Sequence, residues 1–125
     1  MLKVYRLVGP DGVGYYFSRD RKLEVEVSGE VGYDTAINKP QHPLPYDDGI
    51  DSFPDNYYFG FGDKLQLKAW FTPDILKAAD KRGCVVELWE VSPHEVIHGG
   101  KQLCFNKGEA KLLTKIKPLS FVKVG

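Results

Sequence analysis

The sequence predicts a single α+β domain, mostly antiparallel sheet, with two or three short helices and a long central loop. Three observations carry that expectation. Short runs of alternating apolar and polar residues recur along the chain, separated by turn residues, as half-buried strands require. One segment, "TPDILKAADKRG", has a helix start and a helix stop at matching spacing. Between about residues 28 and 63 periodicity disappears under prolines and glycines, yet the aromatic residues remain dense.

The elements follow in order. "LKVYRLV", residues 2–8, reads as a strand in which Val4, Arg6 and Val8 alternate with Lys3, Tyr5 and Leu7. "GPDGVG" is a hairpin turn, because Pro10 presets one dihedral angle and the glycines permit positive ones. It leads to further strands at "VGYYFSRD" and "KLEVEV". The central loop carries Pro40, Pro43, Pro45 and Pro54 together with Tyr33, Tyr46, Phe53, Tyr57, Tyr58, Phe59 and Phe61. Disordered segments are poor in aromatic residues, so an ordered loop covering one face is expected. "DKLQLKAWF" opens a helix with Asp63 as its N-cap. In the next helix Thr72 caps, Pro73 takes the first position, Asp74 meets the positive end of the dipole, and Arg82 and Gly83 close the other end. "CVVELWEV" is a central strand by its near-continuous apolar character. "SPHE" matches the capping pattern of a helical turn, and "VIHGGKQLCF" forms two short strands about a Gly-Gly turn. "NKGEAKLLTKI" fits a short helix or a strand, and "LSFVKV" is expected as a final strand.

The chain has 125 residues, enough for one domain to bury a core without staples. Its 17 basic residues balance 17 acidic ones, which argues against nonspecific nucleic-acid binding. Lysines 101, 107, 111, 115, 117 and 123 nevertheless make the C-terminal fifth basic. Cys84 and Cys104 lie in apolar runs and read as buried small hydrophobes. "MLKVYRLV" lacks the features of a signal peptide, and no apolar run approaches about 18 residues. A soluble protein of a reducing cytoplasm, away from membranes, is expected.

Four stretches, "VYRLVGPDGVGYYFS", "HPLPYDDG", "YFGFGDKLQLKAWF" and "VVELWEV…VIHGGKQLCF", together resemble a group of small accessory proteins of tailed bacteriophages and prophages. That resemblance implies an accessory protein working in the host cell cytoplasm on a host protein, plausibly as an anti-defence inhibitor. A fainter resemblance is to the ADP-ribosyltransferase fold, whose arginine, serine and glutamate positions match Arg6 in "VYRL", Ser18 in "YYFS" and Glu87 or Glu90 in "VVELWEV". It implies NAD as cofactor, with the arginine gripping pyrophosphate and the glutamate stabilising charge at the ribose. Strand alternation sets Glu87 and Glu90 on opposite faces, so only one can enter a cleft. A pocket that sequesters a small nucleotide signal is a further alternative.

His42, Asp47, Asp48 and Asp51 in "HPLPYDDGID" have the chemistry of metal ligands, but their spacing matches no metal motif. Asp-Asp-Gly is a turn signature in which the aspartates bond nearby amides and Gly49 takes the positive angle. His94 and His98 are four apart, yet the residues between them argue against a shared helix face. No serine sits in a nucleophile elbow, and Cys104 has neighbours that quieten a thiol. No catalytic or metal set is therefore assigned. In "NYYFGFG" the residues Tyr57, Phe59 and Phe61 alternate with Tyr58, Gly60 and Gly62, which suits a core-facing strand with close backbone approach at the glycines. Its other reading is an aromatic platform for a protein partner or a stacked nucleobase. The expected partner-binding residues are His42, Tyr46, Asp47, Asp48, Asp51, Tyr57 and Tyr58.

Overall fold

The computed structural model describes residues 1–10 and 45–122. Among them are six strands and two α-helices: β1 (Leu2–Val8), β2 (Tyr57–Gly60), α1 (Lys64–Trp70), α2 (Pro73–Lys81), β3 (Val85–Val91), β4 (Val96–His98), β5 (Leu103–Asn106) and β6 (Lys111–Ile116). The strands form two antiparallel sheets, ordered β1-β3-β6 and β2-β5-β4. This is the α+β architecture, mostly sheet, that the alternation in the sequence predicts. The strands expected at "VGYYFSRD" and "KLEVEV" and most of the "GPDGVG" turn lie outside the described residues.

The apolar run of β3 takes the centre of its sheet, with β1 on one side and β6 on the other. Its two faces serve two cores. Val86 points with Leu7 toward the helices, where Phe61, Leu67, Trp70, Phe71, Ile75, Leu76, Ala79 and Phe121 close one cluster. Val4, Trp89 and Val91 face the second sheet and pack with Leu103 and Phe105. The period-two alternation of β1 and β3 thus puts alternate residues into different cores.

The helices carry the ends their sequence encodes. The Asp63 side chain accepts the Gln66 amide at 2.8 Å, capping α1. Thr72 accepts the Ile75 amide and Pro73 opens α2. Its far end closes in a Schellman arrangement, with Gly83 donating to Asp80 and Cys84 to Ala79, both at 3.1 Å. Ile75, Leu76, Ala78 and Ala79 form the buried stripe.

The two sheets meet at a narrow seam. Tyr5 and Phe61 exchange backbone hydrogen bonds at 2.8 Å in both directions, forming an isolated bridge just beyond β2. At Gly60 a Cβ atom would lie 2.5 Å from Val4 Cγ1 and 2.8 Å from the Tyr5 carbonyl oxygen. The close approach expected at the glycines of "YYFGFG" is realised here.

Two expectations near the C-terminal end are resolved. "KLLTKI" is a strand, β6. The strand expected at "LSFVKV" is absent over its described part, where Pro118–Phe121 make a 3-10 turn instead. Proline opens that turn with no amide to give a ladder, Phe121 inserts into the helix-side core, and the Leu119 amide bonds the Asp80 carboxylate at 3.3 Å. The alternation of "LSFVKV" is outweighed by that anchoring.

Candidate recognition face

The segment from residue 45 to 62 is built from its anchors outward. Pro45–Asp48 form a 3-10 turn, and Gly49 follows at φ +95°, the positive angle the Asp-Asp-Gly signature predicts. The Asp48 side chain spans to the β4–β5 hairpin. Its oxygens accept the Lys101 amide at 2.9 Å and the Gln102 amide at 3.0 Å, while its carbonyl accepts the Gly100 amide at 2.9 Å. A side chain at Gly99 would strike this carboxylate. Two residues later Ile50 is buried, at 1% exposure. Asp48 is therefore a latch that holds the loop to the hairpin, and Ile50 is its apolar stud.

From that fixed point Asp51 through Asn56 are all exposed. Phe53, 40% exposed, stands edge-on to Phe59 with ring centres 4.9 Å apart. The Tyr57 amide returns to the Pro54 carbonyl at 3.0 Å, and the Asn56 side chain bonds Asn106 at 3.1 Å. The Tyr57 hydroxyl donates to Glu95 at 3.4 Å, and the same Glu95 oxygen accepts from Asn106 at 3.0 Å. Desolvation, helped by the Glu95 carboxylate, raises the Tyr57 pKa above its ordinary value. This chain of contacts fixes an exposed, acidic and aromatic surface against the second sheet.

Behind β2 lies a charge assembly. Arg6 on β1 and Glu87 on β3 are direct cross-strand partners, and both are buried, at 7% and 6% exposure. Arg6 Nη1 donates to the Phe59 carbonyl at 2.9 Å, and the guanidinium lies 5.0 Å from the centre of the Tyr58 ring. Burial lowers the Arg6 pKa, with the Glu87 carboxylate working in the opposite direction. Arg6 Nε is buried and finds no hydrogen-bond partner. Glu87 accepts the Trp89 indole N–H at 3.2 Å. Lys107 Nζ caps the arrangement, 5.0 Å from the Tyr58 ring centre and 5.4 Å from that of Trp89.

The residues named from the sequence separate accordingly. Asp47, Asp51, Tyr57 and Tyr58 belong to the loop segment and its strand, with Tyr58 41% exposed. Asp48 lies beside them with its carboxylate occupied by the hairpin amides. His42, Ser18 and the Tyr46 side chain lie outside what the structure describes. Arg6 and Glu87 meet, whereas Glu90 sits on the opposite face of β3 between Lys3 and Lys111. His94 and His98 are exposed, on the Pro93–Glu95 turn and β4. A cleft of about 90 Å³ lined by Gln66, Ala69, Trp70, Gly100 and Lys101 is well below the several hundred Å³ of a typical small-molecule site. Phe53, Asp55 and Lys107 were not among the expected binding residues. Phe53 and Asp55 flank a proline within the irregular segment, which is the signal that would have found them.

Among known proteins, the chain matches the family model described as Bacteriophage T4 Y00F protein over residues 1–119. No curated protein matches. No solved structure matches either.

Proposed function

The chain belongs to the bacteriophage T4 Y00F protein family, and from that premise we propose that it is a phage accessory protein that binds and modulates a host protein. The reading includes an anti-defence role, in which the host protein is inhibited by being covered. Binding occurs through the surface centred on Asp47, Asp51, Phe53, Asp55 and Tyr58; His42 and the Tyr46 side chain, named from the sequence for the same role, lie outside what the structure describes. The observation that supports this reading is the way the loop is held. A carboxylate latch, a buried isoleucine and a network through Asn106 and Glu95 order a surface whose own residues stay exposed. Ordering a segment in advance removes an entropic cost from association, and exposed aromatics beside charged rims are what protein interfaces use.

The NAD-transferase alternative has less support from the same side chains. A guanidinium that grips pyrophosphate must present its fork to the ligand. Arg6 instead turns its Nη1 inward to the Phe59 carbonyl and lies against Tyr58.

Affinity capture from host lysate tests the proposal, with wild type beside an Asp51→Ala/Phe53→Ala/Tyr58→Ala variant. Loss of a specific host protein with the variant, while its circular dichroism spectrum shows the fold kept at the capture temperature, is the expected result. Recovery of the same proteins by both removes the assignment of this face.

A further inference from the structure

Strand β6 is the outer strand of its sheet: it pairs with β3 and meets no further strand among the described residues. Its five residues from Lys111 to Lys115 are all exposed, whereas those of β3 beside it are buried or half-buried. At the far end of β6, Ile116 packs against the helix-side core. Edge strands of this kind present unpaired amides and carbonyls and are templates for another strand. Proteins that only need to protect such an edge make it polar. Here Leu112 and Leu113 remain 37% and 39% exposed, a pair of large apolar side chains that a guarded edge has no use for.

The register shows how side chains are distributed. Leu112 and Lys115 stand opposite Trp89 and Glu87 on one face, and Lys111 and Thr114 opposite Glu90 and Leu88 on the other. The pairing shifts between Leu88 and Trp89, so that Leu113 is the extra residue of a bulge. Each face of the edge thus offers a lysine, with Lys107 and Lys117 just beyond the two ends. Two copies of this edge laid together would set lysines among lysines. Like charges facing across strands are unfavourable, so self-pairing is opposed while a strand with acidic side chains is favoured.

We propose that the outer edge of β6 binds an extended acidic segment of a partner protein as an added strand. Backbone hydrogen bonds supply the pairing. Acidic side chains of the segment meet Lys111 and Lys115, and its apolar residues cover Leu112 and Leu113. The six residues of β6 give the segment a track of about 20 Å. The residues invoked, Lys111 to Lys115, are not those of the face formed by Asp51, Phe53 and Tyr58, and the test uses purified components only, so failure of either proposal leaves the other standing.

The experiment is an NMR titration of the ¹⁵N-labelled protein with a blocked peptide of roughly eight residues alternating Glu and Val. The expected result is saturable shifts centred on the amides of Lys111–Ile116, at least about ten-fold weaker with Lys111→Glu/Lys115→Glu and weakened less by Lys111→Gln/Lys115→Gln. Both lysines are exposed, so the spectra of the variants away from β6 report that the fold is kept. A peptide alternating Lys and Val should leave these amides unmoved. Absence of saturable shifts at β6 with the acidic peptide, or equal binding by the charge-reversed variant, overturns the proposal. So does an oligothymidylate that shifts the same amides with equal affinity, which would mark a phosphate-binding surface. Concentration-dependent shifts of the same amides without peptide would mark a contact between copies and overturn it too.

Discussion

At Asp48 a single carboxylate decides whether the loop and the hairpin behave as one body. It accepts backbone N–H groups from Lys101 and Gln102, and charge-assisted bonds of this kind are about twice as strong as neutral ones. Asp48→Ala should therefore lower stability by about 1–3 kcal/mol, read by urea unfolding, and hydrogen exchange should quicken first at Lys101 and Gln102. The buried pair behaves differently. Arg6→Met removes the buried cation opposite Glu87, leaving only the exposed Lys115 on its other side, and should cost about 3 kcal/mol. Adding Glu87→Gln should recover part of that loss, because an amide oxygen still accepts the Trp89 indole; equal loss in both variants would show that the charges do not interact. Cys104 adds a pH dependence. Burial pushes its thiol from 9.0 up to about 11, so folding favours the protonated form. The contribution is complete below pH 9 and is lost as pH rises through about 11. Wild type should thus lose stability across that interval relative to Cys104→Ala, measured as the difference in melting temperature at each pH. At this scale the sequence was partly readable. The turn chemistry of Asp-Asp-Gly is local and visible, but the hairpin that Asp48 grips lies more than fifty residues away and leaves no local mark.

Among the elements, those with marked ends were the most legible. Asp63, Thr72, Pro73 and Gly83 each do at a helix end what their chemistry suits them for. Thr72→Ala should cost about 1 kcal/mol through loss of the cap on α2, a modest fall in melting temperature that Thr72→Ser largely avoids. Strand β3 declared its central place through Val86, Leu88, Trp89 and Val91, apolar side chains on both faces, with Glu87 as the buried exception that Arg6 faces. "LSFVKV" misled for the complementary reason. Alternation records that two faces differ, and a 3-10 turn with one ring buried also satisfies it. The seam at Gly60 gives the sharpest test at this scale. Gly60→Ala must displace both the Tyr5 carbonyl and the Val4 side chain, and should destabilise by about 1–3 kcal/mol. Gly62→Ala, where the nearest atom is the end of the Gln66 side chain at 3.3 Å, should be much milder. Comparable losses at the two glycines would contradict the close packing of the sheets.

For the whole molecule, equal numbers of acidic and basic residues conceal an uneven arrangement. The acidic residues Asp47, Asp51 and Asp55 mark the loop segment, and the lysines of residues 107–117 mark the outer strand and its flanks. The basic C-terminal fifth is legible in the sequence, but that its lysines fall on an outer strand was not legible until the strand order was known. No helix among the described residues is long and apolar enough to cross a membrane, and the family match over residues 1–119 ties the molecule to phage biology. The pairing of β1 with β3 also bears on time. Val8 lies opposite Val85 and Leu2 opposite Val91, so β1 finds its partner only after the residues from 9 to 84 between them have been made. At about 5–20 residues per second a ribosome leaves β1 waiting for several seconds. During that wait Val4, Leu7 and Val8 lack the β3 residues they pack beside in the finished sheet, and Arg6 lacks Glu87, which makes the nascent chain, rather than the finished domain, the form in which the burial of β1 is incomplete.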